Sequence, residues 1–163
     1  MAIVGFIGLG SIGRPIAEKL IKAGYKLIVY DQFAKFYDLV SLGAEGAVSN
    51  KEVASGSEIV ITVLPNSAQV KEAILGVGGV VEGLRKGMIV ADMSSISQDL
   101  GREVGLALKK KNAAFLALQV SGGKAGAVNG TLSLMAEGDR HAFEKVKPIL
   151  EKIASNIEVK EQK

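Results

Sequence analysis

The chain has no cysteine, no tryptophan and one histidine in 163 residues. Without cysteine there is no disulfide framework, no thiolate metal site and no cysteine nucleophile. His141 alone cannot build a histidine metal cluster, so no metal is expected. Aromatics make up only 5% of the chain, and none interleaves with the densest basic run, Lys109–Lys111. Nucleic acid is therefore not an expected partner. Those lysines follow an apolar-periodic stretch, where a helix C-terminus favours positive charge. No apolar run approaches the roughly 18 residues of a membrane helix, and the N-terminus lacks a basic stretch leading into an apolar signal core. The expected location is cytoplasmic, with no membrane partner. The sequon at Asn129 carries no meaning without a secretory signal, and the glycine-lysine loop of a nucleotide triphosphatase is absent.

Hydrophobic residues account for 48% and charged residues for 23%, enough for a buried core in one ordinary domain. The patterning alternates between strand and helix. Ala2–Ile7 is a short apolar run, and Ile12, Ile16, Ala17, Leu20 and Ile21 follow at helical spacing up to the stop signal Gly24. Lys26–Asp31 is apolar again and closes on a carboxylate. A short extended piece is expected at 47–48, further strands at 59–64, 88–92, 115–120 and 131–136, and a terminal one at 157–159. Between them, helices are expected at 34–42, 50–55, 68–75 and 98–110, and from the cap Asp139 to about 154. This order predicts an α/β fold, a doubly wound and mainly parallel sheet of the Rossmann type. Residues 1–155 form the expected nucleotide-binding domain and 156–163 a polar tail.

The chemistry sits at strand ends. Gly8-Leu9-Gly10-Ser11-Ile12-Gly13 follows the first strand directly and opens the first helix, where G-x-G-x-x-G lets a pyrophosphate approach the backbone. Asp31 closes the second strand, placed to accept hydrogen bonds from an adenosine ribose and to repel a 2′-phosphate. Gln32 follows where an arginine would serve NADP, so NAD is expected over NADP; Lys35 is the one nearby cation. Leu64-Pro65-Asn66-Ser67 and Asp92-Met93-Ser94-Ser95 stand at further strand ends, where turn chemistry competes with a role in the cleft. Ser121-Gly122-Gly123 reads, taken alone, as a flexible turn. A domain binding FAD or another nucleotide is a weaker reading of the same pattern.

These stretches, together with Arg14-Pro15-Ile16-Ala17, Lys22-Ala23-Gly24-Tyr25, Val70-Lys71-Glu72 and Gly130-Thr131-Leu132, resemble the β-hydroxyacid (3-hydroxyisobutyrate) dehydrogenase family over about residues 2–155. The nearest branch is that of tartronate semialdehyde reductase. The resemblance implies an oxidoreductase passing hydride between NAD(H) and a small 3-hydroxy acid or semialdehyde. It implies that Gly8–Gly13, Asp31 and Gln32 hold the dinucleotide. Leu64, Pro65 and Ser94 or Ser95 would lie beside the nicotinamide, and Ser121, Gly122 and Gly123 would grip the substrate carboxylate. The family's proton-donating lysine lies on a helix after this domain, so no catalytic residue is expected within 1–163, and the chain alone is expected to turn over poorly. The helical domain of the family covers the cleft and pairs subunits, so a homo-oligomer through that face is a further expectation. Two departures stand out: Ile12 replaces a methionine, and Ala117-Leu118-Gln119 replaces an Asp-Ala-Pro run. The competing reading is a non-catalytic dinucleotide-binding module.

Overall fold

In the computed structural model, which describes residues 1–160, β1 (Ile3–Ile7) runs into α1 (Gly13–Lys22) and β2 (Lys26–Tyr30). There follow α2 (Tyr37–Ser41), β3 (Glu45–Gly46), α3 (Asn50–Gly56), β4 (Ile59–Thr62) and α4 (Ser67–Leu75). The chain continues through β5 (Ile89–Asp92), α5 (Gln98–Lys110), β6 (Ala114–Ser121) and α6 (Gly123–Asn129). It closes with β7 (Leu132–Gly138), α7 (Arg140–Leu150) and β8 (Ala154–Val159). The eight strands lie in the order β3-β2-β1-β4-β5-β6-β7-β8. All neighbours are parallel except β6 and β7. The expected doubly wound sheet is therefore the observed one. Its direction of winding reverses between β1 and β4, and a cleft outside the carboxyl ends of the strands is the usual consequence.

Strand alternation divides the core in two. Val4 and Phe6 of β1, Ile59 and Ile61 of β4 and Ile89 and Ala91 of β5 face a cluster with Ile16 and Leu20 of α1 and Phe143 and Val146 of α7. Ile7, Val60 and Val90, one residue out of phase, face Val53 of α3, Ile74 of α4 and Val104 of α5. Both faces of the central strands are thus covered, which is why they read as unbroken apolar runs. A Cβ on Gly5 would lie 2.6 Å from Ser57 Oγ and from Val53, so α3 seats on β1 only because residue 5 has no side chain.

Several boundaries differ from the sequence expectation for local reasons. The second helix starts at Tyr37, not near residue 34, because the Asp31 carboxylate accepts the N–H groups of Phe33 and Ala34 and holds them in a turn. The extended piece expected at 47–48 is the two-residue β3 at 45–46. Helix α7 stops at Leu150, and a turn over 151–153 delivers the chain to β8. The tail expected from residue 156 is strand as far as Val159, paired with β7 from Ser133↔Asn156 to Ala136↔Val159; residues 161–163 lie outside the described residues. The lysine run closes α5, with Lys109 and Lys110 in its last turn. Among the described residues no helix is long and apolar enough to cross a membrane.

The carbonyl end of α3 is closed from a distance. Arg85 donates through one guanidinium nitrogen to Ser55 O at 2.6 Å and through the other to Ser57 O at 2.7 Å. Arg85→Ala is expected to lower stability by about 1 to 2 kcal/mol in urea unfolding. Arg85→Lys should recover less than half of that, since one ammonium cannot reproduce the fork.

Candidate dinucleotide cleft

The three glycines of the loop after β1 do different work. Gly8 has φ +102°, and a Cβ there would lie 2.0 Å from Val63 O. A Cβ on Gly13 would lie 2.0 Å from Gly8 O. The protein's own backbone therefore demands both. Around Gly10 nothing comes within 4 Å of a Cβ position. No neighbour in the fold requires glycine at residue 10, and the space it leaves belongs to the cleft.

That cleft has a volume of about 490 Å³. It is bounded by Gly10–Gly13 at the start of α1, by Asp31–Phe33 after β2 and by Val63–Pro65 after β4, with Asn50 of α3 and Gln69 and Glu72 of α4 at one end. Gly10, Ser11, Ile12, Gly13, Asp31, Gln32, Leu64 and Pro65 were expected at the site and line it. Gly8 and Leu9 are buried behind it. Glu72, from the stretch Val70–Glu72, lines it as well, and so do Phe33, Asn50 and Gln69, which were not singled out in the sequence. Their positions in the chain carry no motif, and tertiary packing alone brings them to the loop.

Asp31 is more engaged than its sequence position suggests. Its Oδ2 accepts the N–H of Leu9 at 2.7 Å, and its Oδ1 accepts those of Phe33 at 2.8 Å and Ala34 at 2.7 Å. The carboxylate thus ties the glycine loop to the turn after β2 before any ligand arrives. With about four lone-pair sites on a carboxylate, it retains acceptor capacity. Arg14, beside the loop on α1, donates to Lys35 O and pairs with Asp38 at 2.5 Å. The guanidinium holds the Asp38 carboxyl below its ordinary value.

At the other end of the cleft the strand ends are laced together. Ser94 Oγ accepts the N–H of Leu64 at 2.7 Å, Ser67 Oγ accepts that of Ser97 at 3.1 Å, and Thr62 Oγ1 donates to Asp92 Oδ1 at 2.7 Å. Asn66 caps α4 by accepting from Gln69 N at 2.9 Å. Asn66 thus does local capping work, whereas Ser67 and Ser94 tie one strand end to the next. Ser95 is exposed, and neither it nor Ser94 lines the cleft. Asp92 is fully buried. Burial pushes its carboxyl up to about 6, while the neighbouring Thr62 and Ser94 pull the other way.

The third cluster is not the flexible turn expected from its glycines. Ser121 ends β6, and Gly123 begins α6 after Gly122 turns at φ +123°. With no proline at 117–119, β6 pairs with β7 without interruption from Leu116↔Gly138 to Ser121↔Ser133. Ser121, Gly122 and Gly123 are exposed and lie outside the lining of the cleft. Among the described residues no group of acidic or histidine side chains is arranged to hold a metal.

A profile described as the NAD binding domain of 6-phosphogluconate dehydrogenase matches residues 3–160. The chain belongs to that family. It is 38% identical over 154 residues to the 2-hydroxy-3-oxopropionate reductase of Escherichia coli, covering 94% of this chain and 53% of the relative. The structure of Mycobacterium tuberculosis 3-hydroxyisobutyrate dehydrogenase with L-serine superposes with a TM-score of 0.90 at 29% identity, over 98% of this chain and 54% of that one. The structure of Psf3 with NADP+ and 2-OPP gives a TM-score of 0.92 at 27% identity, over 98% and 57%. The chain spans about half the length of the curated relatives it matches. The expected resemblance to the 3-hydroxyisobutyrate dehydrogenases and the expected NAD-binding domain are both borne out.

Proposed function

We propose that this chain is the cofactor-holding half of a cytoplasmic oxidoreductase that acts on small 3-hydroxy acids or their semialdehydes, tartronate semialdehyde among them. The observation that carries the reading is the open space at Gly10 inside a loop whose other two glycines are claimed by the fold. A pyrophosphate fits there, against backbone at the start of α1 where N–H groups and the helix dipole favour anions. Asp31 lies where the ribose of the adenosine half follows, and its negative charge favours NAD over NADP. Leu64 and Pro65 form an apolar wall for the nicotinamide, which when bound supplies or accepts the hydride. The laced ends of β4 and β5 keep that wall rigid, and Ser95, exposed after β5, is the candidate polar residue for the nicotinamide end. Ser121, Gly122 and Gly123 are the candidates for the substrate carboxylate.

Carbonyl reduction also needs a proton donor, and the lining of the cleft holds neither lysine nor histidine among the described residues, its titratable side chains being those of Tyr30, Asp31 and Glu72. The same observation favours a second reading, a dinucleotide-binding module without chemistry of its own. Titration followed by cofactor fluorescence tests both the site and its preference. NADH is expected to bind at least tenfold tighter than NADPH. Equal affinities would remove the preference, and no binding of either would remove the reading. Adding tartronate semialdehyde to the NADH complex is expected to give no turnover at ordinary dehydrogenase rates; rapid turnover would exclude the module and require a proton donor in this chain.

A further inference from the structure

Two consecutive N–H groups hang the glycine loop on the end of β2. Gly8 N donates to Tyr30 O at 3.1 Å, a main-chain bond that any residue at 30 supplies. Leu9 N donates to Asp31 Oδ2 at 2.7 Å, a bond that needs this side chain. Past Leu9 the contacts thin out. Nothing comes within 4 Å of a Cβ position on Gly10, Ser11 is exposed, and the chain is held again where Arg14 N donates to Gly10 O at 3.1 Å as α1 begins. A glycine-rich segment left loose must be ordered when an anion settles on its N–H groups, and that cost comes off the affinity. A tie made beforehand removes it.

The Asp31 carboxylate therefore acts on an anion in the loop in two opposed ways. Its charge repels the anion. Its bond to Leu9 holds the loop in the shape whose N–H groups receive it. We infer that the second effect is the larger, and that Asp31 is a positioning residue for the pyrophosphate, acting through Leu9 from one βα turn to the next. This role is separate from the ribose contact and does not require Asp31 to touch a phosphate. The inference rests on the dinucleotide reading of the cleft and adds to it the residue that shapes the phosphate seat.

Inorganic pyrophosphate is the probe, because it carries no ribose for Asp31 to bind. Its dissociation constant is measured by calorimetry on the wild type, Asp31→Asn and Arg85→Ala. In Asp31→Asn the single amide oxygen stays with the N–H groups of Phe33 and Ala34, and the NH2 meets Leu9 N–H, donor against donor. Loss of the charge alone predicts tighter binding by this variant, and loss of the tie predicts weaker binding. The expected result is a loss of about fivefold or more in Asp31→Asn, the size of one hydrogen bond. Arg85→Ala, whose lower stability arises outside the lining of the cleft, is expected to bind as the wild type does. Affinity in Asp31→Asn equal to or above that of the wild type, or an equal loss in Arg85→Ala, would overturn the inference and leave the dinucleotide site standing. A wild type that binds NADH but not pyrophosphate would do the same. A wild type that binds neither would remove the inference and the dinucleotide reading together. Should Asp31→Asn fail to fold, Asp31→Ser decides by the same criteria, since one hydroxyl can hold the turn but not Leu9 as well.

Discussion

Gly10→Ala is expected to melt with the wild type and yet lose NADH binding by tenfold or more, whereas Gly8→Ala and Gly13→Ala are expected to fail in folding itself. The asymmetry follows from what each added methyl would meet. At Gly8 and Gly13 it would lie 2.0 Å from a backbone carbonyl oxygen, which cannot swing aside as a side chain can. Gly8 also holds φ at +102°, a conformation an L side chain rarely adopts. Each of those variants should lose about 3 kcal/mol or more, within the range where a buried clash dominates a point mutation. At Gly10 the methyl meets nothing within 4 Å. It costs the fold nothing and occupies the space proposed for the pyrophosphate. Thermal melts with and without NADH separate the cases. A Gly10→Ala protein that binds NADH as the wild type does would sink the assignment of that opening, whatever the other two variants do.

The loop illustrates what a sequence discloses and what it withholds. G-x-G-x-x-G directly after an apolar run and before helical spacing is legible because all its members are contiguous and each has a local reason. The separate roles of its three glycines are legible from the motif, but the atoms that enforce them are not: Val63 O, just after β4, faces Gly8, and Gly8 O faces Gly13. Asp31 could be read as a strand-end carboxylate, but its bond to Leu9 N crosses from one βα turn to the next and leaves no trace in spacing. The same holds for Phe33 and Asn50, which look like an exposed turn residue and an ordinary helix start until the fold faces them across one cleft. Helix α6 escaped because Gly122, Gly123, Gly126 and Gly130 dominate a stretch in which only seven residues are helical. Strand β8 was half legible. Its apolar Ile157 and Val159 mark it, but the first half, Ala154-Ser155-Asn156, has no strand character of its own and pairs because β7 already offers an edge.

Asp92→Asn is expected to change how stability depends on pH more than any other single substitution at this edge of the sheet. Asp92 ends β5 fully buried, with Oδ1 bonded to Thr62 and Oδ2 without a partner. Burial penalises the charged form and raises the carboxyl from 3.8 to about 6. In the folded protein the group therefore holds its proton more tightly than in the unfolded chain. Its contribution to stability is fully present below pH 4, falls as pH rises through 6, and is flat above about 7. A shift of roughly two units corresponds to about 3 kcal/mol lost across that window. Asparagine keeps an oxygen to accept from Thr62 Oγ1 but cannot ionise. Its NH2 inherits the position of Oδ2, a fixed cost of about 1 to 2 kcal/mol at every pH. The difference in unfolding free energy between variant and wild type removes the titration of all other groups. It should swing by about 2 to 2.5 kcal/mol in favour of Asp92→Asn between pH 4 and pH 8. Urea unfolding at both pH values measures it directly. A constant difference would mean that the buried carboxyl does not carry its proton into the neutral range, and that the lacing of β4 to β5 holds an ionised Asp92 without penalty.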